Sequence, residues 1–215
     1  MVACCRRSRV DHVLMNRSGF GRQSSSRVSL LPRQCAVCRF MTSLTTFEVR
    51  PATLRDAKAI AEIHAAADQA ANKGLLSQEA LPPIPIEKRQ AYWREAIEFS
   101  EPQVQVALDE GKIVGFVGFD RSRDKGTPPT TGEIWAIYAA TSHWGQGVGL
   151  ALWDAAREGL QEEGCSKVTL WVPLGNERAL RFHELAGFKR EPSSARTVAM
   201  GTLRIEEIRL KRALM

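Results

Sequence analysis

The spacing of apolar positions changes along this chain and predicts alternating strands and helices. Residues 47–50 predict a short strand. An alanine-rich helix is expected to begin at Thr53, where Asp56 replaces the usual Glu of a capping box, and to end near Gly74. After a proline-rich break, a second helix is expected over about residues 86–99.

The rest of the chain continues the alternation. Residues 104–108 and 112–119 flank Asp109-Glu-Gly111, which is typical of a hairpin turn. The full predicted order is β-α-α-β-β-β-α-β-α-β-β, which indicates a mixed α/β (α+β) fold in a single domain. The later elements are a fourth strand at 133–140, a helix at 147–163, a strand at 168–172, a helix from Asn176, and a last strand pair at about 188–191 and 200–210.

The most informative segment is the glycine turn after the fourth strand, Trp144-Gly-Gln-Gly-Val-Gly149. Glycine lets the backbone approach an anion and adopt positive φ, and the start of a helix favours negative charge. A dinucleotide fingerprint is excluded because position 150 is Leu150, and a P-loop is excluded because the Gly-Lys-Ser/Thr sequence is absent. The turn predicts a phosphate-bearing cofactor, against the alternative of a tight turn that only packs helix on strand.

A second motif follows at residues 176–188, Asn-Glu-Arg-Ala-Leu-Arg-Phe-His-Glu-Leu-Ala-Gly-Phe. Asn176 is a good N-cap, and Gly187 is the expected helix stop. Together the two motifs resemble the GNAT superfamily of acetyl-CoA-dependent N-acetyltransferases. That family carries (Gln/Arg)-x-x-Gly-x-(Gly/Ala), and then Asn-x-x-Ala-x-x-Phe-Tyr-x-x-x-Gly-Phe. The resemblance implies a twisted, mostly antiparallel sheet flanked by helices, with acetyl-CoA as co-substrate.

Two positions depart from the pattern of the resembled family. Trp144 stands where Gln or Arg is usual, so one polar contact near the pyrophosphate is either missing or made by the backbone. His183 stands where tyrosine is usual, which puts in question the family's common way of protonating the leaving thiolate. By resemblance, the cofactor contacts are Asn176 and the backbone of the fourth strand and the turn: Ile137, Tyr138, Ala139, Trp144, Gly145, Gln146, Gly147, Val148 and Gly149.

Acetyl transfer to an amine requires a polarised carbonyl and a deprotonated ammonium. Several members of the resembled family carry a glutamate base at the head of this strand, so Glu133 is expected to take the proton through a water. Alternation places it on one face with Trp135 and Ile137; the other interpretation is a solvated carboxylate at a strand end. His183 is expected either to protonate the thiolate, since imidazole has a pKa near ~6.5, or only to pack against the cofactor. No nucleophile is evident, so direct attack on the thioester is expected.

The acceptor amine is not specified by the sequence, because fold does not set substrate. The resemblance implies that the region between the first two strands lines the acceptor pocket, so Tyr92 and Trp93 are candidate substrate contacts. A core position is an equal alternative for Trp93. His64 is expected to be a partly buried core residue, and His143 is expected to be an exposed turn residue.

Charge changes the picture only at the N-terminus. The net charge is +6, but residues 1–40 hold eight Arg and one Asp, whereas the rest of the chain holds 22 Lys and Arg against 23 Asp and Glu. The acetyltransferase domain expected at 45–212 is therefore near neutral and lacks the basic stripe of nucleic-acid binding. Residues 1–44 are expected to be a basic extension with little packed structure. Three interpretations are open: a transit peptide, an anion-binding arm, or a segment upstream of a true start at Met41. We favour the third.

The number and spacing of the cysteines indicate whether a metal site is expected and in which cellular compartment the protein is expected. Four of the five cysteines lie in the extension with spacings unlike a zinc site, so no metal is expected, and Cys165 is expected to pack. A cytoplasmic location is expected, and no apolar run approaches the ~20 residues of a membrane span. The expected partner is a small-molecule or peptide amine, with no nucleic acid and no membrane, and a homodimer is left open. A different class of function, an acyl-CoA sensor without turnover, is favoured by the departures at Trp144 and His183.

Overall fold

The computed structural model describes residues 47–72, 84–200 and 203–214. The expected extension at 1–44 and the helix end near Gly74 lie outside these ranges. No helix within the described ranges is long and apolar enough to cross a membrane. The described residues form strands β1 (Glu48–Pro51), β2 (Gln103–Asp109), β3 (Lys112–Arg121), β4 (Thr131–Ala139), β5 (Lys167–Pro173), β6 (Lys189–Arg190), β7 (Arg196–Met200) and β8 (Leu203–Ala213), and helices α1 (Ala57–Asn72), α2 (Ile86–Phe99), α3 (Val148–Glu162) and α4 (Glu177–Leu185).

Most predicted boundaries agree with the observed ones to within two residues, but the end of the chain differs. One strand pair was predicted there, whereas the structure forms three strands, β6, β7 and β8. β7 was missed because most of its side chains are exposed, which leaves its apolar pattern weak. Its strand geometry comes from antiparallel pairing with β8.

The strands form one sheet in the order β1-β2-β3-β4-β5-β8-β6, and β7 pairs with β8 beside this path. Neighbouring strands are antiparallel except β4 and β5, which are parallel. That parallel pairing joins residues 131–133 to 167–169 and goes no further. The sheet therefore opens between β4 and β5, and the mixed, mostly antiparallel fold expected from the resemblance is confirmed.

Each face of the sheet carries its own apolar core. α3 packs on the face that we call the α3 face, where Cys165 is buried as predicted. α1 and α2 cover the opposite α1/α2 face, where Trp93 and Phe116 are buried. The fit against α3 is tight, because a Cβ at Gly115 would lie 2.8 Å from Val148 Cγ1. Burial of each large apolar side chain contributes roughly 1.5–3 kcal/mol, so the helices hold β3 and β4 firmly in place.

The predicted cap of α4 is confirmed, and the predicted capping box at Thr53 forms but opens a 3₁₀ turn, Leu54–Asp56, which continues into α1 at Ala57. The Thr53 N–H donates to Asp56 Oδ2 over 2.7 Å. Arg50 donates to both oxygens of Asp56, and these hydrogen bonds hold the pKa of Asp56 below its ordinary value. At α4, Asn176 Oδ1 accepts from the Ala179 N–H over 3.1 Å.

β4 contains a bulge that simple alternation does not predict. The register with β3 shifts by one residue at Trp135, which leaves this residue as an extra one on β4. Ile134 and Ile137, three positions apart, therefore both pack on the α3 face. The prediction that Glu133 shares a face with Ile137 is wrong, because the bulge between them inverts the alternation.

Candidate active site

A cavity of about 500 Å³ lies beside the end of β4, and we call it the β4–α4 cavity. Three segments form its walls: the last residues of β4, the turn before α3, and one side of α4. It collects most of the residues predicted to contact the cofactor. Its lining consists of Ile137, Tyr138, Ala139, His143, Trp144, Gly145, Gly147, Val148, Gly149, Leu150, Arg178, Ala179, Arg181, Phe182, His183, Leu185 and Ala186.

The glycine turn presents backbone donors to this cavity. Gly145 and Gly147 have φ values of +76° and +97°, which side chains other than glycine rarely adopt. A Cβ at either position would meet nothing within 4 Å, so backbone conformation rather than space requires glycine. Within the described part of the chain, the N–H groups of residues 145 and 147–149 donate to no backbone carbonyl. Such free donors at the start of a helix are suited to an anion.

Gly149 is glycine for a different reason. A Cβ there would lie 3.0 Å from the ring of Phe182, so the first turn of α3 touches α4 at this point. The turn therefore combines two unusual backbone conformations with one close contact between helices.

Trp144 is fixed in the cavity wall by two contacts. Its Nε1 donates to the Ala139 carbonyl over 2.9 Å. The guanidinium carbon of Arg178 lies 3.0 Å from the centroid of its ring. Arg178 was not among the predicted cofactor residues. A possible sequence signal existed, because a cation in the first turn of a helix opposes the helix dipole and needs another reason to be there.

Two of the predicted cofactor residues make structural contacts and do not line the cavity. Gln146 Nε2 donates to the Ser142 carbonyl over 2.8 Å, which ties the turn together. Asn176 caps α4 with its side chain. Both therefore position segments of the cavity wall.

His183 lines the cavity and is 6% exposed. Its ring packs edge-on against Phe182 and Phe188, with centroids 4.9 Å and 5.5 Å away. Among the described residues, its Nδ1 has no hydrogen-bond partner. Burial lowers the pKa of His183 to about 4, because a charged ring is costly in apolar surroundings. The ring is therefore neutral at pH 7, so it offers a hydrogen bond but no imidazolium proton.

Glu133 lies on the other side of β4 and is 3% exposed. The Arg123 N–H donates to its Oε2 over 2.9 Å, and the Arg123 guanidinium pairs with its Oε1. The same guanidinium lies 3.8 Å from the ring centroid of Trp135. Glu133 is thus a buried, paired carboxylate, and the interpretation as a solvated strand-end residue is wrong.

A smaller cavity of about 220 Å³ lies beside Trp135, and we call it the acceptor-side cavity because Tyr92, a predicted substrate contact, lies in its wall. It combines aromatic rings with carboxylates. Tyr92, one of the predicted substrate contacts, is 46% exposed in its wall, and partial burial raises its pKa. The lining residues are Tyr92, Glu95, Ala96, Phe99, Glu101 and Trp135.

Trp93, the other predicted substrate contact, is 1% exposed and lies in the core. Its Nε1 donates to His64 Nδ1 over 3.1 Å, and the His64 ring lies 4.6 Å from that of Tyr138. Burial lowers the pKa of His64 to about 4 and raises the pKa of Tyr138 to about 12. Trp93 therefore occupies a core position, which was the alternative to a substrate contact, and His64 is partly buried as predicted.

His143 differs from its prediction as an exposed turn residue. Its side chain is 21% exposed and lines the β4–α4 cavity. Nε2 lies 3.2 Å from Asp109 Oδ2, in the hairpin between β2 and β3. The prediction failed because the partner lies 34 positions earlier in the chain, and only folding brings it close.

Sequence comparisons connect this geometry with known proteins. The model of the Acetyltransferase (GNAT) family matches residues 65–188. The chain is 32% identical to the mycothiol acetyltransferase of Kocuria rhizophila over 82 residues. This matched segment is 38% of this chain and 27% of that protein. It is also 32% identical to the uncharacterized N-acetyltransferase YuaI of Bacillus subtilis over 127 residues. Here the matched segment is 58% of this chain and 70% of that protein. The chain thus spans about a quarter of the mycothiol acetyltransferase that it matches.

Solved structures share the fold at lower sequence identity. The ribosomal-protein-alanine N-acetyltransferase from Brucella melitensis superposes with a TM-score of 0.60 at 20% identity, over 78% of this chain and 99% of that one. The putative acetyltransferase yncA from Salmonella typhimurium, solved with acetyl-CoA, has a TM-score of 0.59 at 21% identity, over 79% and 94%. A phosphinothricin acetyltransferase from Sinorhizobium meliloti, in complex with acetyl-CoA, has a TM-score of 0.61 at 20% identity, over 79% and 89%.

Proposed function

The chain belongs to the GNAT family of acetyltransferases, and we propose that it transfers an acetyl group from acetyl-CoA to a primary amine of a small molecule or peptide by direct attack. The observation that carries this proposal is the β4–α4 cavity, where the free N–H groups of the glycine turn lie beside the open edge of β4. Two similar structures, from Salmonella typhimurium and Sinorhizobium meliloti, hold acetyl-CoA.

The cavity fits the chemistry of this co-substrate. The free N–H groups at 145 and 147–149 would receive its pyrophosphate at the start of α3. Residues 137–139 lie beyond the pairing with β5, so the backbone groups that do not pair with β3 are open to the amides of the pantetheine arm, like an added strand, except the Ala139 carbonyl, which accepts from Trp144 Nε1. An N–H of this edge would also meet the acetyl oxygen where negative charge develops.

Trp144, Gln146 and Asn176 would support binding by holding the walls. Trp144 joins the turn to the end of β4, Gln146 closes the turn on residue 142, and Asn176 fixes the start of α4. The Oδ1 of Asn176 is occupied by the Ala179 N–H, so Asn176 would act on the arm indirectly, by fixing the position of α4.

Glu133 would accept the proton that the ammonium loses before attack, through a water. The amine nitrogen then forms a bond to the acetyl carbon, the carbon–sulfur bond breaks with its electron pair leaving on sulfur, and the second proton of the nitrogen passes through solvent to the thiolate. In the resting protein, the carboxylate is paired with Arg123. A substrate ammonium would therefore compete with the guanidinium for the same oxygen.

His183 would serve the thiol end of the co-substrate. Because burial lowers its pKa to about 4, it is neutral at pH 7. This favours packing and a single hydrogen bond to the departing sulfur over transfer of an imidazolium proton. Its Nδ1 is buried without a partner among the described residues, so the hydrogen bond to the ligand would come from Nε2.

The acceptor-side cavity would receive the amine. The rings of Tyr92 and Trp135 with the carboxylates of Glu95 and Glu101 suit a cationic group. Trp93 would act indirectly, because its buried ring supports that of Tyr92 at a centroid distance of 5.0 Å.

A second candidate, an acyl-CoA sensor without turnover, is favoured by one observation. Both predicted catalytic side chains are sequestered, Glu133 by its ion pair and His183 by burial. The sensor and the enzyme share the cofactor cavity and differ only in whether an amine is acetylated.

A screen of amines tests the proposal. The full chain is incubated with acetyl-CoA and each amine of a panel of amino acids, polyamines, aminoglycosides and peptides, and the release of free coenzyme A is measured with mass spectrometry of the product. Calorimetry with acetyl-CoA is run in parallel. Tight binding with no acetylated amine would favour the sensor, whereas no binding would overturn both candidates.

A further inference from the structure

We propose that Arg178, whose guanidinium lies over the Trp144 ring, binds a phosphate of the nucleotide end of acetyl-CoA and so supplies the polar side-chain contact that position 144 lacks. This inference rests on the proposed function. It assigns a ligand residue to α4 that neither the turn nor the family pattern quoted above contains.

The first argument is the charge of Arg178. It lines the β4–α4 cavity, and no carboxylate among the described residues pairs with it. Arg178 is an exposed residue, but partial desolvation without a counter-charge lowers its pKa, whereas the pKa values of Arg50 and Arg209 are raised by hydrogen bonds to the acids with which they pair. An unpaired guanidinium beside free backbone N–H groups forms a site for an anion.

The second argument is its place on the helix. Arg178 lies in the first turn of α4, two positions after the Asn176 cap, where the helix dipole is positive. A cation there opposes the helix dipole and costs stability. Residues that break a local rule in this way often lie at functional sites. An anion at this point would be attracted by the guanidinium and by two helix starts, those of α3 and α4.

The third argument is the platform beneath it. The guanidinium carbon lies 3.0 Å from the Trp144 ring centroid, and the ring is fixed by its hydrogen bond to Ala139. Stacking on an aromatic face leaves the in-plane N–H groups of arginine free to donate to oxygen. In the resembled family a polar Gln or Arg occupies position 144. In this chain, the tryptophan at 144 and the arginine at 178 would share that task.

Arg181 provides a matched comparison within the same cavity. It lies on α4 three positions later, and both arginines are exposed and line the cavity. No aromatic ring is stacked on it among the described contacts. A general effect of positive charge would involve both arginines equally, whereas a built phosphate site involves Arg178.

Calorimetry on the full chain tests the proposal with three ligands: coenzyme A, 3′-dephospho-coenzyme A, and S-acetylpantetheine, which has no phosphate. Arg178→Met should weaken coenzyme A binding by about tenfold or more, and Arg181→Met much less. Loss with both nucleotides places Arg178 at the pyrophosphate. Loss with coenzyme A alone places it at the 3′-phosphate. Arg178→Lys should recover part of the affinity.

A double-mutant cycle tests the platform. Trp144→Leu should weaken coenzyme A binding, and the double variant Trp144→Leu/Arg178→Met should bind about as well as Arg178→Met alone, since the two residues act as a unit. Thermal unfolding checks that each variant is folded.

Three results would overturn the proposal: wild-type affinity in Arg178→Met, equal losses in Arg178→Met and Arg181→Met, or an equal loss with S-acetylpantetheine. Failure of the proposed function is separate, because there the wild-type protein itself binds no coenzyme A or acetylates no amine.

Discussion

The two walls of the candidate active site are built by different means. The β4–α4 cavity relies on backbone: two glycines at positive φ, the start of α3, and the open edge of β4. The proposed acceptor side relies on side chains: Tyr92 from α2 and Trp135 from the β4 bulge line the smaller cavity, and the Arg123 guanidinium over Trp135 pairs with Glu133. Backbone donors recognise groups that every molecule of acetyl-CoA carries, whereas side chains can differ with the acceptor. The sequence motif therefore identifies the cofactor and not the amine.

Glu133→Gln gives the largest expected effect and removes the chemistry from the acceptor side alone. We expect kcat to fall by about 10²–10⁴-fold, because the proton acceptor is lost while the shape of the side chain is kept. Binding of acetyl-CoA, measured by calorimetry, should not change. Asp120→Asn is the matched control, since Asp120 lies opposite Glu133 on β3. An unchanged kcat in Glu133→Gln would refute the role as base.

Gly147→Val removes the backbone site while leaving the acceptor side intact. A branched residue at φ +97° is strained, and the donors at 147–149 should turn away from the phosphate, so affinity for coenzyme A should fall by about 10–100-fold. Gly126→Val is the control, because Gly126 has φ +78° and equally open surroundings but does not line the cavity. Equal affinity of the two variants for coenzyme A would contradict a backbone site.

His183→Gln tests whether the cofactor wall is as apolar as its packing indicates. The folded pKa of about 4 lies below the ordinary 6.5, so the stability contributed by neutral His183 is present above pH 6.5 and is lost as the pH falls towards 4. The free energy of unfolding, measured with urea, should decrease between pH 7 and pH 5 in the wild-type protein. In His183→Gln this decrease should be roughly 2 kcal/mol smaller. His64 is present in both proteins, so the difference isolates His183. Parallel pH dependences would show that the His183 ring is not buried in solution.

Arg123→Met gives the smallest expected effect and tests competition on the acceptor side. Without the guanidinium, a substrate ammonium meets Glu133 unopposed, and KM for the amine should fall roughly threefold. Lys125→Met removes an exposed cation from the same loop and should leave KM unchanged. A higher KM in Arg123→Met would instead assign Arg123 to substrate binding.

Local patterns were sufficient for most of the fold. The hairpin, the Thr53 and Asn176 caps and the bounds of α2 were predicted because each depends on residues a few positions apart. The bulge at Trp135 was not, because it is a property of the register between two strands. β7 was not, because its structure comes from pairing with β8 and not from its own side chains.

The same division holds in the site. The sequence alone determined the glycine turn, the motif at 176–188 and hence the family, since glycine conformation and helix capping are encoded where they occur. Only the tertiary structure decided that Arg178 stacks on Trp144, that Glu133 is paired with Arg123, and that Trp93 is core while Tyr92 is exposed. These contacts join side chains from different elements. Their energies depend on distance and burial, which exist only once the sheet has opened between β4 and β5 and the helices have packed on its two faces.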